Sequence, residues 1–238
     1  SAGAGVIVAR FFGAGDEKNL QRAVHTTVAF GLVAGVLMTG VGVALSPQIL
    51  RWMDTPESVM RESVTYLQIY FAGSLGFVMY NVLVGILQAV GDSRHPLYYL
   101  IVSSVINLVL DLLFITGFHT GVGGAAVATV ISQIVSALLC FWQLLRTKES
   151  YGLKIRKIRF DKGILVQIIK IGLPSGVQNS IIAFANVIVQ SNINAFGEMA
   201  MAGYGAYTKV EGFGFLPINS FTMALTTPKR HPCRCPII

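Results

Sequence analysis

The stretch LYYLIVSSVINLVLDLLFITGF, Leu97 to Phe118, leads through the short link Gly117-Phe118-His119-Thr120-Gly121 into VGGAAVATVISQIVSALLCFWQLL, Val122 to Leu145. The first run carries one charge, Asp111, in its interior; the second carries none. Apolar runs of roughly 20 residues are long enough to cross about 30 Å of hydrocarbon as helices. A carboxylate inside such a span is costly, which marks Asp111 as functional by default. The alternative is that it accepts hydrogen bonds from neighbouring helices and moves nothing, although burying a charge for packing alone is a poor exchange.

The rest of the chain has the same character. It is 53% hydrophobic and 12% charged, against about 25% charged in an ordinary soluble domain. Mean hydropathy is +0.65. The apolar runs are too long and too continuous for barrel strands, which alternate over about ten residues. The expected class is an all-α integral membrane protein, a polytopic helix bundle in the cell (inner) membrane with the lipid bilayer as its solvent. The net charge of +7 is gathered largely in one loop, so it reads as a topology signal rather than a nucleic-acid surface.

The spans expected are Ala23–Leu45, Val64–Val90, Leu97–Phe118, Val122–Leu145, Gly163–Phe196 and Met199–Thr227. Arg10, Lys18, Arg22, Arg94, Arg146, Lys148, Lys154, Arg156, Lys157, Arg159 and Lys162 fall on one side of them, and only Arg51 and Arg61 on the other. The positive-inside bias makes the loop 146–162 cytoplasmic, and its basic character is compatible with contact to phospholipid. Gly13-Ala14-Gly15-Asp16 and Gly91-Asp92 follow spans on that side, where glycine lets a chain leave a helix through the left-handed region. Gly31 and Gly35 make a face fit for close helix contact. Pro174 and Pro217 interrupt the last two spans as candidate hinges or static kinks.

The chain opens on SAGAGVIVARFF, which reads as the end of a span, and closes on PKRHPCRCPII, an atypical tail over 228–238. The sequence is therefore expected to be part of a longer transporter-like protein. Cys140 lies in a span, and Cys233 and Cys235 sit in the tail, so no disulfide framework forms. Their spacing with His231 matches no zinc pattern. The glycine-rich start of the run at Val122 has neither a preceding strand nor a ribose-binding acid, which excludes a dinucleotide turn.

Asn107 and Asp111 are four apart and share a helical face. The short link makes the two runs antiparallel neighbours. With position 120 as the turn centre, Asp111 is level with Thr129 and Asn107 with Gln133. Asp111 and Thr129 then each lie about 11 Å from the helix end. Facing each other, these residues would offer oxygen ligands suited to a hard cation; with one carboxylate, a monovalent ion or a proton fits best. In the fifth span, Gln178, Asn179, Asn186, Gln190, Asn192 and Asn194 suit a wet cavity wall better than a lipid-facing surface. Lys209 and Glu211, two apart, point to different faces and look for partners on other helices.

Taken in order, FFGAGDEKNLQRA, LQAVGDSRHPL, INLVLDLLFI, GGAAVATVISQ, IGLPSGVQNS and YTKVEGFGFLPINSF resemble the multidrug and toxic compound extrusion (MATE) transporters across residues 3–227. The resemblance implies two six-helix lobes exporting organic, often cationic compounds in exchange for Na⁺ or H⁺, with no cofactor. Residues 1–145 would be the amino-terminal lobe without its first helix and most of its second. Residues 146–162 would be the connecting loop, and 163–227 the first two helices of the second lobe. The family's cation site, carried over by matching, falls on Asp111, Asn107 and Thr129, with a further aspartate expected on a first helix preceding Ser1. Gln178 stands where some members carry an acid in the seventh helix, which weakens the case for a second cation site.

The alternative transport reading is a lipid or polysaccharide flippase of the same superfamily, which would want more intramembrane cations than Lys170 and Lys209. An intramembrane enzyme would need a second catalytic group level with Asp111, and none is visible. A passive channel would lack gradient-coupled, saturable flux.

Overall fold

The computed structural model describes residues 2–52, 57–117, 121–147, 149–154, 158–194 and 198–226. Among these all regular structure is helical: α1 (Ala2–Gly13), α2 (Glu17–Trp52), α3 (Glu57–Ala72), α4 (Ser74–Ala89), α5 (Arg94–Leu112), α6 (Gly121–Arg146), α7 (Lys162–Asn194) and α8 (Glu198–Thr226). Four helices are long and apolar enough to cross a membrane, at Glu17–Arg51, Arg94–Gly117, Gly123–Arg146 and Lys162–Asn186. The tail 228–238, with His231, Cys233 and Cys235, lies outside the described residues, as does the turn centre at Thr120.

The run 64–90, expected as one span, is a pair of helices bent by 42°. The break falls at Gly73. A Cβ there would lie 2.3 Å from Val130 on α6, so the chain approaches α6 at a point where only glycine fits. Gly31 and Gly35 pack as their spacing predicts, against Val82 and Leu75 of α4. With no hydrophobic drive between helices in lipid, such close backbone approach supplies the van der Waals contact that holds them. A bond between the Thr39 and Ser74 hydroxyls, 3.0 Å, ties α2 to α4 on the same seam.

Two connections use one device. Gly15 (φ +70°) and Gly91 (φ +86°) adopt the left-handed conformation. The next residue's N–H reaches back to the ending helix, Asp16 to the Phe11 carbonyl at 3.2 Å and Asp92 to the Leu87 carbonyl at 2.9 Å, as in a Schellman stop. The same aspartates then open the following helix. Asp16 accepts the Asn19 backbone N–H at 3.1 Å and Asp92 accepts that of His95 at 3.3 Å. The Asn19 backbone and side-chain bonds hold the Asp16 carboxyl below its ordinary range.

The core gathers at the end of the bundle where α2 and α7 begin and α4 and α6 finish. Ile7 and Val8 of α1, Leu20 and Val24 of α2, Ile86 and Leu87 of α4, Cys140 and Leu144 of α6, Leu153 of the loop and Ile164 and Ile168 of α7 form one buried cluster. Tyr151 of the loop packs edge-on against Phe12, and burial pushes its phenol upward in pKa. The first turns of α7 thus belong to the core of the preceding helices. Gly3 and Gly172 mark the crossing of α1 and α7: a Cβ on Gly3 would sit 2.6 Å from the Gly172 nitrogen and the Ile168 carbonyl.

Beyond that crossing the helices lose their neighbours. From Leu173 to Asn186 every residue but Ser175 is exposed. The main packing of α8 among the described elements is on α7.

Candidate functional site

α5 and α6 pack along one another. Their register is pinned by the Tyr99 hydroxyl donating to Gln143 Oε1 at 3.3 Å. The midpoint of that pair falls at position 121, consistent with the antiparallel pairing expected about position 120.

Asn107, Asp111, Thr129 and Gln133 are all half-buried, whereas Leu108, Val109 and Leu112 on α5 are 57% exposed or more. The polar face of α5 therefore turns inward and its apolar face outward. Asn107 Nδ2, Asp111 Oδ1 and Gln133 Oε1 are buried and make no hydrogen bond. A buried polar atom without a partner costs about 1–3 kcal/mol, and three on the facing helices of one hairpin are the signature of a site built for something else. An amide rotation exchanges the Asn107 nitrogen for its oxygen, so all three can present oxygen. The Thr129 hydroxyl donates to the Ala125 carbonyl at 3.0 Å; its lone pairs stay available as ligands.

The sequence does not announce what lies next to Asp111. The helix widens into a π-turn over Leu113–Gly117, a feature found mostly at functional positions. The Thr116 hydroxyl bonds back to the Leu112 carbonyl at the end of α5. Among the described residues no group of three or more His, Cys, Asp or Glu could hold a metal ion.

The other expected site residues lie apart from this hairpin. Gln178 and Pro174 line an apolar groove of about 600 Å³ with Leu173, Val177, Ile181 and Ile182. Asn179 and Glu211 are exposed, and Lys209 lies two residues before Glu211 on α8. Pro174 and Pro217 sit inside continuous helices.

A second polar assembly escaped the sequence reading. His25 is 3% exposed and Thr26 fully buried, both near the start of α2. The ring Nδ1 of His25 lies against the Gln21 carbonyl at 2.5 Å, and its Nε2 accepts the Lys154 N–H at 3.1 Å. The same Nε2 lies 3.1 Å from the Lys154 carbonyl. The Thr26 hydroxyl donates to the Arg159 carbonyl at 3.3 Å and accepts the Asp161 N–H at 3.2 Å. The basic loop is thereby fastened to α2. In sequence, His25 beside Arg22 reads as an ordinary interfacial residue; only the return of a loop some 130 residues later gives it partners.

Comparison with known proteins agrees with this architecture. The MatE family model matches residues 1–113. The chain is 31% identical to the probable multidrug resistance protein YoeA of Bacillus subtilis, over 94% of this chain and 50% of that one. It is 27% identical to the probable multidrug resistance protein NorM of Thermotoga maritima, over 95% and 50%. Its fold superposes on the outward-facing conformation of a multidrug resistance MATE family transporter with a TM-score of 0.84 at 27% identity, covering 93% of this chain and 50% of that one. The chain spans about half the length of these relatives. It belongs to the MATE family of multi-pass cell-membrane transporters.

Proposed function

We propose that the transporter carrying this sequence exports organic, often cationic compounds in exchange for Na⁺ or H⁺, and that Asp111, Asn107 and Thr129, with Gln133 beside them, receive the coupling cation. The observation that carries this reading is the set of partnerless buried atoms on the facing helices α5 and α6. An ionised Asp111 in a low-dielectric setting is stabilised by a bound cation or neutralised by a proton. Either event can drive a transport cycle only if it favours one state of the transporter over another. In this reading residues 1–145 form the amino-terminal lobe, 146–162 the cytoplasmic connection and 163–227 the start of the second lobe. Gln178 and Asn179 then face the transported compound, because amides tolerate a wet cavity better than lipid, and Pro174 and Pro217 are its hinges.

The test is gradient-driven efflux of an organic cation by the intact transporter, comparing imposed Na⁺ and H⁺ gradients. Asp111→Asn is expected to reduce coupled efflux by about 5- to 150-fold, the range spanned by typical coupling free energies, with membrane expression unchanged. Normal coupled efflux in that variant would sink the role given to Asp111.

A further inference from the structure

A cavity of about 450 Å³ opens where the loop returns to α2, lined by Lys18, Arg22, His25, Thr26, Arg159 and Asp161 among others. We propose that it binds a phosphoryl group, such as the headgroup of an anionic phospholipid. The inference stands apart from the Asp111 site.

Charge is the first argument. Three cations line the cavity against one carboxylate, and that carboxylate is already engaged. Asp161 Oδ1 accepts the N–H groups of Gly163 and Ile164, at 3.0 and 3.2 Å, to start α7. Its Oδ2 stands 3.8 Å from Arg22 Nη1, at the outer limit of an ion pair. Lys18 and Arg159 have no ion-pair partner among the described residues. Concentrating cations in one concavity without matching anions is unfavourable unless an anion joins them, and paired arginines match the planar fork of phosphate oxygens.

Rigidity is the second. His25 and Thr26 form a buried floor, and their bonds to the backbone at Lys154, Arg159 and Asp161 fix the loop that brings Arg159 to face Lys18 and Arg22. The cationic groups are thus presented on a preformed wall rather than on a free tail, which lowers the ordering cost of binding.

Position is the third. At about 1.5 Å per residue α2 is roughly 54 Å long, well beyond about 30 Å of hydrocarbon. The charges of its first turns, Lys18 and Arg22, are excluded from hydrocarbon, so that excess length can carry this end to the headgroups. A cavity of this size accepts a small polar headgroup.

The experiment titrates the purified protein in neutral detergent with phosphatidylglycerol, phosphatidylcholine or inorganic phosphate, reading bound molecules by native mass spectrometry and thermal midpoint. Phosphatidylglycerol is expected to bind and raise the midpoint while phosphatidylcholine does not. Arg22→Gln with Arg159→Gln should weaken that binding about 30-fold, given the usual contribution of each basic group at an anionic surface. Arg94→Gln with Arg146→Gln, equal in charge but outside the cavity, should leave it within about twofold. Lys18→Gln, which removes no ion pair, should weaken it about fivefold and serves if the double variant does not fold. Binding of inorganic phosphate alone, lost in the cavity variants, would support the site with a soluble phosphoryl source. Absence of binding by both anions, undiminished binding in the cavity variants, or equal loss in the Arg94/Arg146 control would each overturn the proposal.

Discussion

The helices up to α6 and the pair α7–α8 are all apolar in sequence and differ in packing. Leu83 of α4 is 0% exposed, while Phe213 of α8 is 75% exposed and Phe184 of α7 67%. α5 lies between these cases and explains them. Its exposed side is largely apolar, with Ser104 bonding back to the Leu100 carbonyl, while Asn107 and Asp111 are half-buried. On α7, by contrast, Gln178, Asn179 and Asn186 are as exposed as Leu173 and Ile181. A lipid-facing helix does not scatter amides around its circumference, so this exposure has a different meaning from that of α5. The first turns of α7 are the exception, locked to α1 at the Gly3–Gly172 crossing and buried at Ile164 and Ile168.

That contrast can be broken by substitution. The largest stability effect is expected for Leu83→Ala. In lipid the transfer part of the usual loss is small, but the cavity and its missing dispersion contacts remain, at about 2 kcal/mol. Phe213→Ala, which removes more atoms, should change thermal stability by less than about 0.5 kcal/mol in this chain. An equal loss in the two variants would erase the distinction. The crossing offers a sharper test, because its two glycines are not equivalent. A methyl on Gly3 meets backbone at 2.6 Å, whereas one on Gly172 makes an ordinary contact at 3.7 Å. Gly3→Ala should cost about 1–3 kcal/mol and Gly172→Ala within about 0.5 kcal/mol, measured by thermal unfolding in detergent.

A more local test concerns the loop. His25→Ala leaves the Gln21 carbonyl and Lys154 N–H without their ring partner and should cost about 1–2 kcal/mol. Its clearer readout is faster proteolysis within 146–162. Unchanged cleavage would mean that burial of Leu153 and Tyr151 alone holds the loop.

Much of the fold was legible because the bilayer limits the options. Continuous apolar runs had to be helices, the spacing of Gly31 and Gly35 had to form a contact face, and Gly15 and Gly91 had to turn left-handed before an aspartate. Asn107 and Asp111 shared a face by helical periodicity alone, and a short link brought Thr129 and Gln133 to their depth. The bend at Gly73 was not legible, since nothing in the run 64–90 says that Val130 will press against that one residue. The π-turn after Asp111 was hidden for a similar reason: LFITG has no local signal for a wider turn.

The sequence by itself determined the membrane class, the helices and the face on which Asp111 sits. These follow from the cost of exposing backbone to lipid and from a fixed 3.6-residue period. Tertiary structure decided which polar atoms were left without partners, how far α7 belongs to the first bundle, and that His25 and Thr26 grip a loop some 130 residues away. Those are outcomes of helix rotation and long-range contact, and neither is written in the spacing of neighbours along a chain. Asp111 could be singled out from its cost alone; that Oδ1 of this carboxylate stands buried with no partner required α5 and α6 to be folded against each other.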